Sequence, residues 1–194
     1  MLSDRAKQYL KTLDRRSVPI NKNEVAEFFR SDELPTPDAI LTFQETFGGY
    51  TFHAGLEPVV ATILFPRANF LRDHPWTAPD VTKMEEHFFY RCFDTLYQCE
   101  FHLDSNGTYY EDWDPVHENF GYLIESKALL SSLSTTGDWE DVLDAHQRFC
   151  EPSTFRTKGL QRENIVSCGI TTWWHNEDTV VQWRPDDIRA WTRK

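Results

Sequence analysis

Patterns that mark catalytic and cofactor sites are missing from this 194-residue sequence. It contains no G-x-S-x-G, no G-x-x-x-x-G-K-S/T and no G-x-G-x-x-G, so neither a serine nucleophile elbow nor a phosphate-binding loop is indicated. Its seven histidines form no H-x-x-x-H or H-E-x-x-H pair, the spacings typical of zinc sites on helices. We therefore expect a chain that is not an enzyme and that holds no cofactor and no metal.

Cysteine is scarce, and long apolar runs are absent. The four cysteines show no C-x-x-C spacing, which argues against a zinc or redox motif. No apolar segment of a signal peptide follows Met1, and no stretch approaches the roughly 18 apolar residues of a membrane span. We expect a cytoplasmic protein, not bound to membranes, whose cysteines are reduced and mostly buried, namely Cys92, Cys99, Cys150 and Cys168.

Basic residues are outnumbered by acidic ones. The chain has 20 Lys and Arg against 31 Asp and Glu, a net charge of −11 with neutral histidine. Nucleic acids and anionic membranes are both bound through Lys and Arg, so the surplus of carboxylates disfavours both partners. A protein with a basic surface is the natural complement, because opposite fields accelerate encounter. Solubility alone is the alternative explanation of the acidity.

Aromatic side chains, in contrast, are abundant: fourteen Phe, seven Tyr and seven Trp predict a folded core. At this length we expect a single domain over 1–194, with 160–194 as a possible C-terminal extension, and favour a monomer. Ser3 and Asn21 are suited to cap two helices, and Thr36 before Pro37 is suited to cap a third. Gly48-Gly49 would end that third helix, because glycine adopts positive φ freely.

Strand and turn signals follow. Residues 104–107, Asp-Ser-Asn-Gly, predict a hairpin turn between aromatic strands. The order of elements indicates an α+β fold with N-terminal helices, a central, mostly antiparallel sheet, flanking helices and a C-terminal Trp-rich hairpin. Strands are predicted at 50–52, 59–65, 88–93, 96–103, 108–110, 165–166, 170–174 and 179–183, helices at 126–133, 139–149 and from Pro185, and irregular structure at 66–83.

The densest cluster of ionisable groups lies at 111–118. Asp112, Asp114 and His117 could supply oxygen and imidazole ligands to a divalent cation, which would permit a metal-dependent hydrolase. The alternative is a solvated acidic loop after the hairpin. His102 lies among strand residues, where a lone histidine is more often a hydrogen-bonded structural group than a ligand.

Trp173-Trp174 is the most unusual local feature of the sequence. Aromatic residues are over-represented at binding hot spots, because they exclude water over a large rigid area. Alternate residues of a strand face opposite sides, so we expect one of the two rings in the core and the other nearer the surface. The sequence does not indicate which is which.

The segments from Leu34-Pro35 through Gly48-Gly49, the hairpin at 104–110 and the helix beginning near Glu125-Ser126 together resemble the SUKH superfamily of Smi1/Knr4-like immunity proteins. The resemblance covers roughly residues 20–135. It implies a cytosolic protein that binds and neutralises a cognate toxin delivered between competing bacteria, by blocking the toxin's active site or its access to substrate. An alternative within the same resemblance is a regulatory scaffold that binds an endogenous protein.

A toxin with a basic surface or active site would match the acidity of this chain. The contact surface then consists of acidic and aromatic residues in the 111–118 cluster and in the Trp-rich hairpin. The predicted toxin-binding residues are Glu111, Asp112, Trp113, Asp114, Glu118, Trp173 and Trp174.

Overall fold

The fold belongs to the α+β class, as the sequence predicts. A computed structural model describes residues 1–54, 57–65, 76, 79–95, 100–142, 145, 159–185 and 187–194. The helices in these ranges are α1 (Asp4–Lys11), α2 (Lys22–Ser31), α3 (Asp38–Phe47) and α4 (Phe120–Thr136). The strands are β1 (Thr51–Ala54), β2 (Glu57–Ala61), β3 (Val81–Met84), β4 (His87–Arg91), β5 (Phe93–Asp94), β6 (Phe101–Asp104), β7 (Tyr109–Glu111), β8 (Asp114–His117), β9 (Trp139–Asp141), β10 (Gln161–Arg162), β11 (Thr172–His175), β12 (Thr179–Trp183) and β13 (Ile188–Arg193).

The chain divides into two compact units. The first unit comprises Met1–Tyr9 and Val116–Lys194, and the second comprises Leu10–Pro115. Residues 160–194, which the sequence suggests as an extension, therefore belong to the same unit as α4 and the N-terminal residues. None of the helices in the described ranges is long and apolar enough to cross a membrane.

Helices α2 and α3 of the second unit begin close to the predicted residues. Asn21 caps α2 as predicted, since its side-chain oxygen accepts hydrogen bonds from the N–H groups of Asn23 and Glu24 at 3.0 and 3.3 Å. The prediction for α3 is wrong by one residue. Pro37 and not Thr36 occupies the cap position, with extended backbone, and its carbonyl accepts from the N–H of Ile40 at 3.1 Å.

Helix α3 ends at Phe47, before Gly48-Gly49, as predicted. Gly49 has φ +87°, and a Cβ at this position would clash with the carbonyl oxygen of Arg16. The following strand prediction at 59–65 is too long, because β2 ends at Ala61. Beyond it the backbone turns to the buried Gln44, whose side-chain oxygen accepts from the N–H of Ile63 at 3.0 Å.

The second unit holds a three-stranded sheet in the order β1-β2-β5 and most of a five-stranded sheet in the order β3-β4-β6-β7-β8. The irregular structure predicted at 66–83 is wrong for its last three residues, 81–83, which belong to β3 and pair with β4. Residues 66–75 and 77–78 of that prediction, and 96–99 of a predicted strand, lie outside the described residues. Strand β8 carries the chain from the second unit into the first.

The hairpin of β6 and β7 is confirmed. The carboxylate of Asp104 accepts the N–H groups of Asn106 and Thr108 at 2.8 and 2.9 Å, and Gly107 takes φ +90°. The turn therefore forms through its own side chain and glycine, which is why a local pattern sufficed to predict it.

In the first unit, α1 begins at the predicted cap, since the Ser3 hydroxyl accepts the N–H of Ala6 at 3.1 Å. Helix α4 is longer than the predicted 126–133. It begins after Asn119, whose side chain accepts the N–H of Tyr122, and ends at Gly137 in the left-handed region. The apolar residues of α4 lie all around the helix, so no single stripe marks its full length in the sequence.

The first unit also holds a five-stranded sheet in the order β10-β11-β12-β13-β9. The β11–β12 hairpin is confirmed. The helix predicted at 139–149 is wrong over Trp139–Asp141, which form β9, whereas Ala145 is helical as predicted. The helix predicted from Pro185 is wrong, because β13 lies there. Pairing of β13 with β12 and β9 overrides the local helix signals. The strand predicted at 165–166 is a turn, and 143–144, 146–149 and 186 lie outside the described residues.

Candidate functional site

The predicted contact cluster contains a strained turn. Strands β7 and β8 are joined by the two residues Asp112 and Trp113, which have φ of +47° and +73°. We call residues 111–114 the acidic turn. Positive φ at both central positions is the pattern of a type I′ hairpin turn, which normally carries Asn-Gly or Asp-Gly. A bulky residue such as Trp113 rarely adopts this conformation, so the surrounding structure must hold it there.

Two hydrogen bonds fix the backbone of the acidic turn. The N–H of Asp112 donates to the carbonyl of Glu100 at 2.8 Å, and the Asp112 carboxylate accepts the N–H of Glu100 at 3.0 Å. Glu111, half-buried at the start of the turn, accepts the hydroxyl of Tyr109 at 3.2 Å. The side chains of Asp112 and Asp114 are exposed. The turn therefore presents carboxylates to solvent on a defined backbone.

The indole of Trp113 is held by two aromatic contacts while 37% of the residue stays exposed. It stacks on the ring of His102, with centroids 4.3 Å apart and planes at 24°. The ring of Phe89 meets it edge-on at 5.7 Å. The register of β4 with β6, in which Arg91 faces His102 and Phe89 faces Asp104, puts these two rings on one face of the sheet.

His102 forms the floor beneath Trp113 and is only 5% exposed. Burial lowers the pKa of its imidazole, although the charges of Glu100 and Asp80 act in the opposite direction. Its Nδ1 has no hydrogen-bond partner among the described residues. The predicted hydrogen-bonded role is therefore not what the structure shows at that atom. His102 instead acts as a flat, neutral support for the indole.

The other predicted contact residues lie in the first unit. Glu118 is exposed, and its carboxylate accepts the N–H of Gly169 at 2.8 Å. Trp173 is fully buried, its indole N–H donating to the Ser126 hydroxyl at 3.1 Å, and Trp174 is half-buried. One ring is thus in the core, as expected, and it is Trp173. Of the pair, only Trp174 has surface to offer a partner.

The metal alternative gains no support from this arrangement. No three His, Cys, Asp or Glu side chains of the described chain come together as a metal site requires. His117 is 1% exposed, whereas Asp112 and Asp114 are exposed residues of the other unit. Burial, with the charges of Arg184 and Lys127, lowers the pKa of His117 to about 3.

Comparison with known proteins adds no identity. No protein-family model, no curated protein and no solved structure matches this chain. The resemblance to the SUKH superfamily stays a prediction.

Two features of the acidic turn were not predicted from the sequence. Phe89 and His102 support Trp113 from strands that precede it by 24 and 11 positions, and only the register of β4 and β6 reveals the contact. The strain at Asp112 and Trp113 was also missed, because neither residue is a glycine and the segment has no Asn-Gly signature. The available signal was the aromatic pair Tyr109-Tyr110 shortly before the two-residue gap, since β8 has a single β-branched residue, Val116.

Proposed function

We propose that this chain binds and neutralises a cognate bacterial toxin, and that the acidic turn makes the central contact. The proposal is supported chiefly by one observation. Trp113 is a partly exposed tryptophan, fixed on a strained turn and flanked by the exposed carboxylates of Asp112 and Asp114. By covering the toxin's active site or its access to substrate, the protein would act without a cofactor and without chemistry.

The rigidity of Trp113 favours binding. A side chain that is already stacked on His102 loses little rotamer freedom when a partner covers it. Tryptophan is among the residues most enriched at binding hot spots, where truncation costs about 2 kcal/mol or more. Backbone strain of this kind persists mainly where function requires a fixed geometry, and its typical size is about 1–3 kcal/mol per residue.

The charge of the chain indicates the kind of partner. A net charge of −11, with carboxylates at the acidic turn, produces a field that attracts a basic surface. A toxin that acts on nucleic acid must itself carry such a surface, because phosphate contacts depend on Lys and Arg. An inhibitor that presents carboxylates and an aromatic ring would compete for that surface.

Charge reversal tests the proposal. The variant Asp112→Lys/Asp114→Lys should slow association with the toxin encoded beside this gene and weaken the salt dependence of the rate. The matched control is Glu85→Lys/Glu86→Lys, which reverses two exposed carboxylates of the same unit at the β3–β4 turn, where Glu85 also has positive φ. Stopped-flow association at two salt concentrations compares the variants, and circular dichroism checks that both fold.

The two double variants have the same net charge, so a general field effect would slow them equally. A slower rate for the acidic-turn variant alone supports the contact. Equal rates would move the interface elsewhere, with Trp174 the next residue to test. Absence of any toxin gene in the neighbourhood, together with failure to protect cells that express candidate toxins, would remove the toxin from the proposal. An endogenous partner recovered through the acidic turn would then favour the regulatory scaffold.

A further inference from the structure

The first unit contains a cavity of about 450 Å³ that includes no residue of the acidic turn. Its apolar wall combines Leu129 and Leu133 of α4 with Trp173 and Val180 of the sheet. Trp139 and Trp174 also line it. The rest of the lining is polar, so an apolar wall faces polar groups in a space of the size that small-molecule sites usually have.

Two arginines, Arg5 and Arg193, line this cavity. Arg5 comes from α1, where Ser3 is anchored through its hydroxyl to the buried carboxylate of Glu125 at 2.7 Å. The Nε of Arg5 is buried and has no acceptor among the residues that the structure describes. Arg193 lies with its guanidinium 5.3 Å from the centre of the Trp139 ring. Arginine binds carboxylates through paired N–H donors, so the two arginines suit an anionic ligand group.

Carboxylates line the same cavity. The side chain of Glu163 is 23% exposed, and its ion-pair partner is His175, with Nε2 3.5 Å from Oε2, a pair that is charged on both sides only when the histidine is protonated. Glu177 and Asp178, both exposed, also line the cavity. A ligand cation placed near Glu163 would give this largely buried carboxylate a permanent counter-charge, which strengthens hydrogen bonds to it.

We infer that this cavity binds a small zwitterion, an α-amino acid with an apolar side chain. A purely anionic ligand would satisfy Arg5 but would meet Glu163 and Asp178, and a purely cationic ligand would meet Arg5 and Arg193. A molecule with one carboxylate, one ammonium and an apolar body satisfies both sets and covers the apolar wall. The structure thus selects the ligand by its paired charges.

Three ligands with the same phenyl body separate the possibilities. L-phenylalanine carries both charges, phenethylamine only the cation and 3-phenylpropanoate only the anion, and L-leucine serves as a second zwitterion. Quenching or shift of the intrinsic tryptophan fluorescence reports binding, since Trp139, Trp173 and Trp174 line the cavity. We expect saturable binding of at least one zwitterion. A matched ligand that lacks either charge should bind at least about tenfold more weakly than the zwitterion.

Variants of lining residues test whether the ligand binds in this cavity. Arg5→Gln and Glu163→Gln should each weaken amino-acid binding about tenfold or more. Lys7→Gln on α1 and Glu140→Gln on β9 are the matched controls, because both residues are exposed and neither lines the cavity. Should a cavity variant fail to fold, the ligand series on the unchanged protein still decides the matter.

Failure of both L-phenylalanine and L-leucine to bind at millimolar concentration overturns the inference. Binding of phenethylamine or 3-phenylpropanoate as tight as that of L-phenylalanine also overturns it, because one charge would then suffice. None of these results bears on the toxin proposal, which depends on residues 111–114 of the second unit.

Discussion

Trp113 of the second unit and Trp173 of the first occupy opposite environments. In the second unit, Trp113 occupies a turn with φ +73° and keeps 37% of its surface exposed. In the first unit, Trp173 lies in β11 with no exposed surface, and its ring stacks on that of Trp191 with centroids 5.8 Å apart. The residue type alone does not distinguish a contact residue from a core residue. The backbone conformation and the exposed fraction of the residue distinguish the two roles.

The comparison also separates strain from stability. Trp173 has ordinary strand geometry and a partner for its indole N–H. Its burial therefore stabilises the fold, with no cost from backbone strain or from an unpaired donor. Trp113 combines an unfavourable φ with incomplete burial, so little burial energy offsets its backbone strain. This combination is typical of a functional residue and not of a purely structural one. That contrast is the physical basis for assigning binding to one tryptophan and packing to the other.

The largest expected effect is the loss of stability on truncating Trp173. Trp173→Ala should lower the free energy of unfolding by about 3–5 kcal/mol, because it leaves a cavity in the core and an unpaired Ser126 hydroxyl. Trp113→Ala should cost roughly 1 kcal/mol or less, since the ring is partly exposed. Urea unfolding measures both. Comparable losses at the two positions would abolish the distinction drawn above.

Sequence patterns predicted those parts of the fold whose hydrogen bonds are local. The caps at Ser3 and Asn21 and the hairpin turn at Asp104 each close within four residues, and all three are confirmed. The helix predicted from Pro185 failed for the opposite reason. Residues of β13 pair with β12 at separations of 5 to 13 positions and with β9 at separations of 50 to 54 positions, and no signal within 185–193 itself reports this pairing.

The candidate site was predictable in composition but not in geometry. The cluster of Glu111, Asp112, Trp113 and Asp114 is evident in the sequence. Its rigidity is not, because it depends on rings from β4 and β6 meeting Trp113 across the sheet. The cavity of the first unit was not predicted at all, since Arg5 and Glu163 are far apart in the chain and join only on folding.

Two buried histidines of the described residues, His117 and His102, extend the comparison to pH. Burial, with the charges of Arg184 and Lys127, lowers the pKa of His117 to about 3, against an ordinary 6.5. Between these values the unfolded chain takes up a proton that the folded chain does not. The free energy of unfolding should therefore fall as the pH falls from 6.5 towards 3, by about 1.4 kcal/mol per pH unit from this residue.

Urea unfolding of the unchanged protein and of His117→Gln, followed across this pH range, measures that slope. The variant should lose most of the histidine contribution, while His102→Gln should lose less, because burial lowers the pKa of His102 without a comparably large shift. Carboxylates titrate in all three proteins, so the difference between the curves is the informative quantity. Parallel curves for the unchanged protein and His117→Gln would contradict the assignment.

The smallest expected effect has opposite signs at the two tryptophans. At position 113, with φ +73°, the Trp113→Gly variant should be more stable than Trp113→Ala by about 1 kcal/mol, because only glycine adopts this conformation without a Cβ penalty. At position 173, inside β11, alanine should be more stable than glycine by about 0.5–1 kcal/mol, since glycine loses more chain entropy on folding. Comparing alanine with glycine at each site cancels the lost indole contacts, which are common to both variants. Chemical denaturation of the four proteins supplies both differences. If the glycine variant were the less stable one at both positions, Trp113 would not be held in a strained turn. The proposal that its geometry serves binding would then be contradicted.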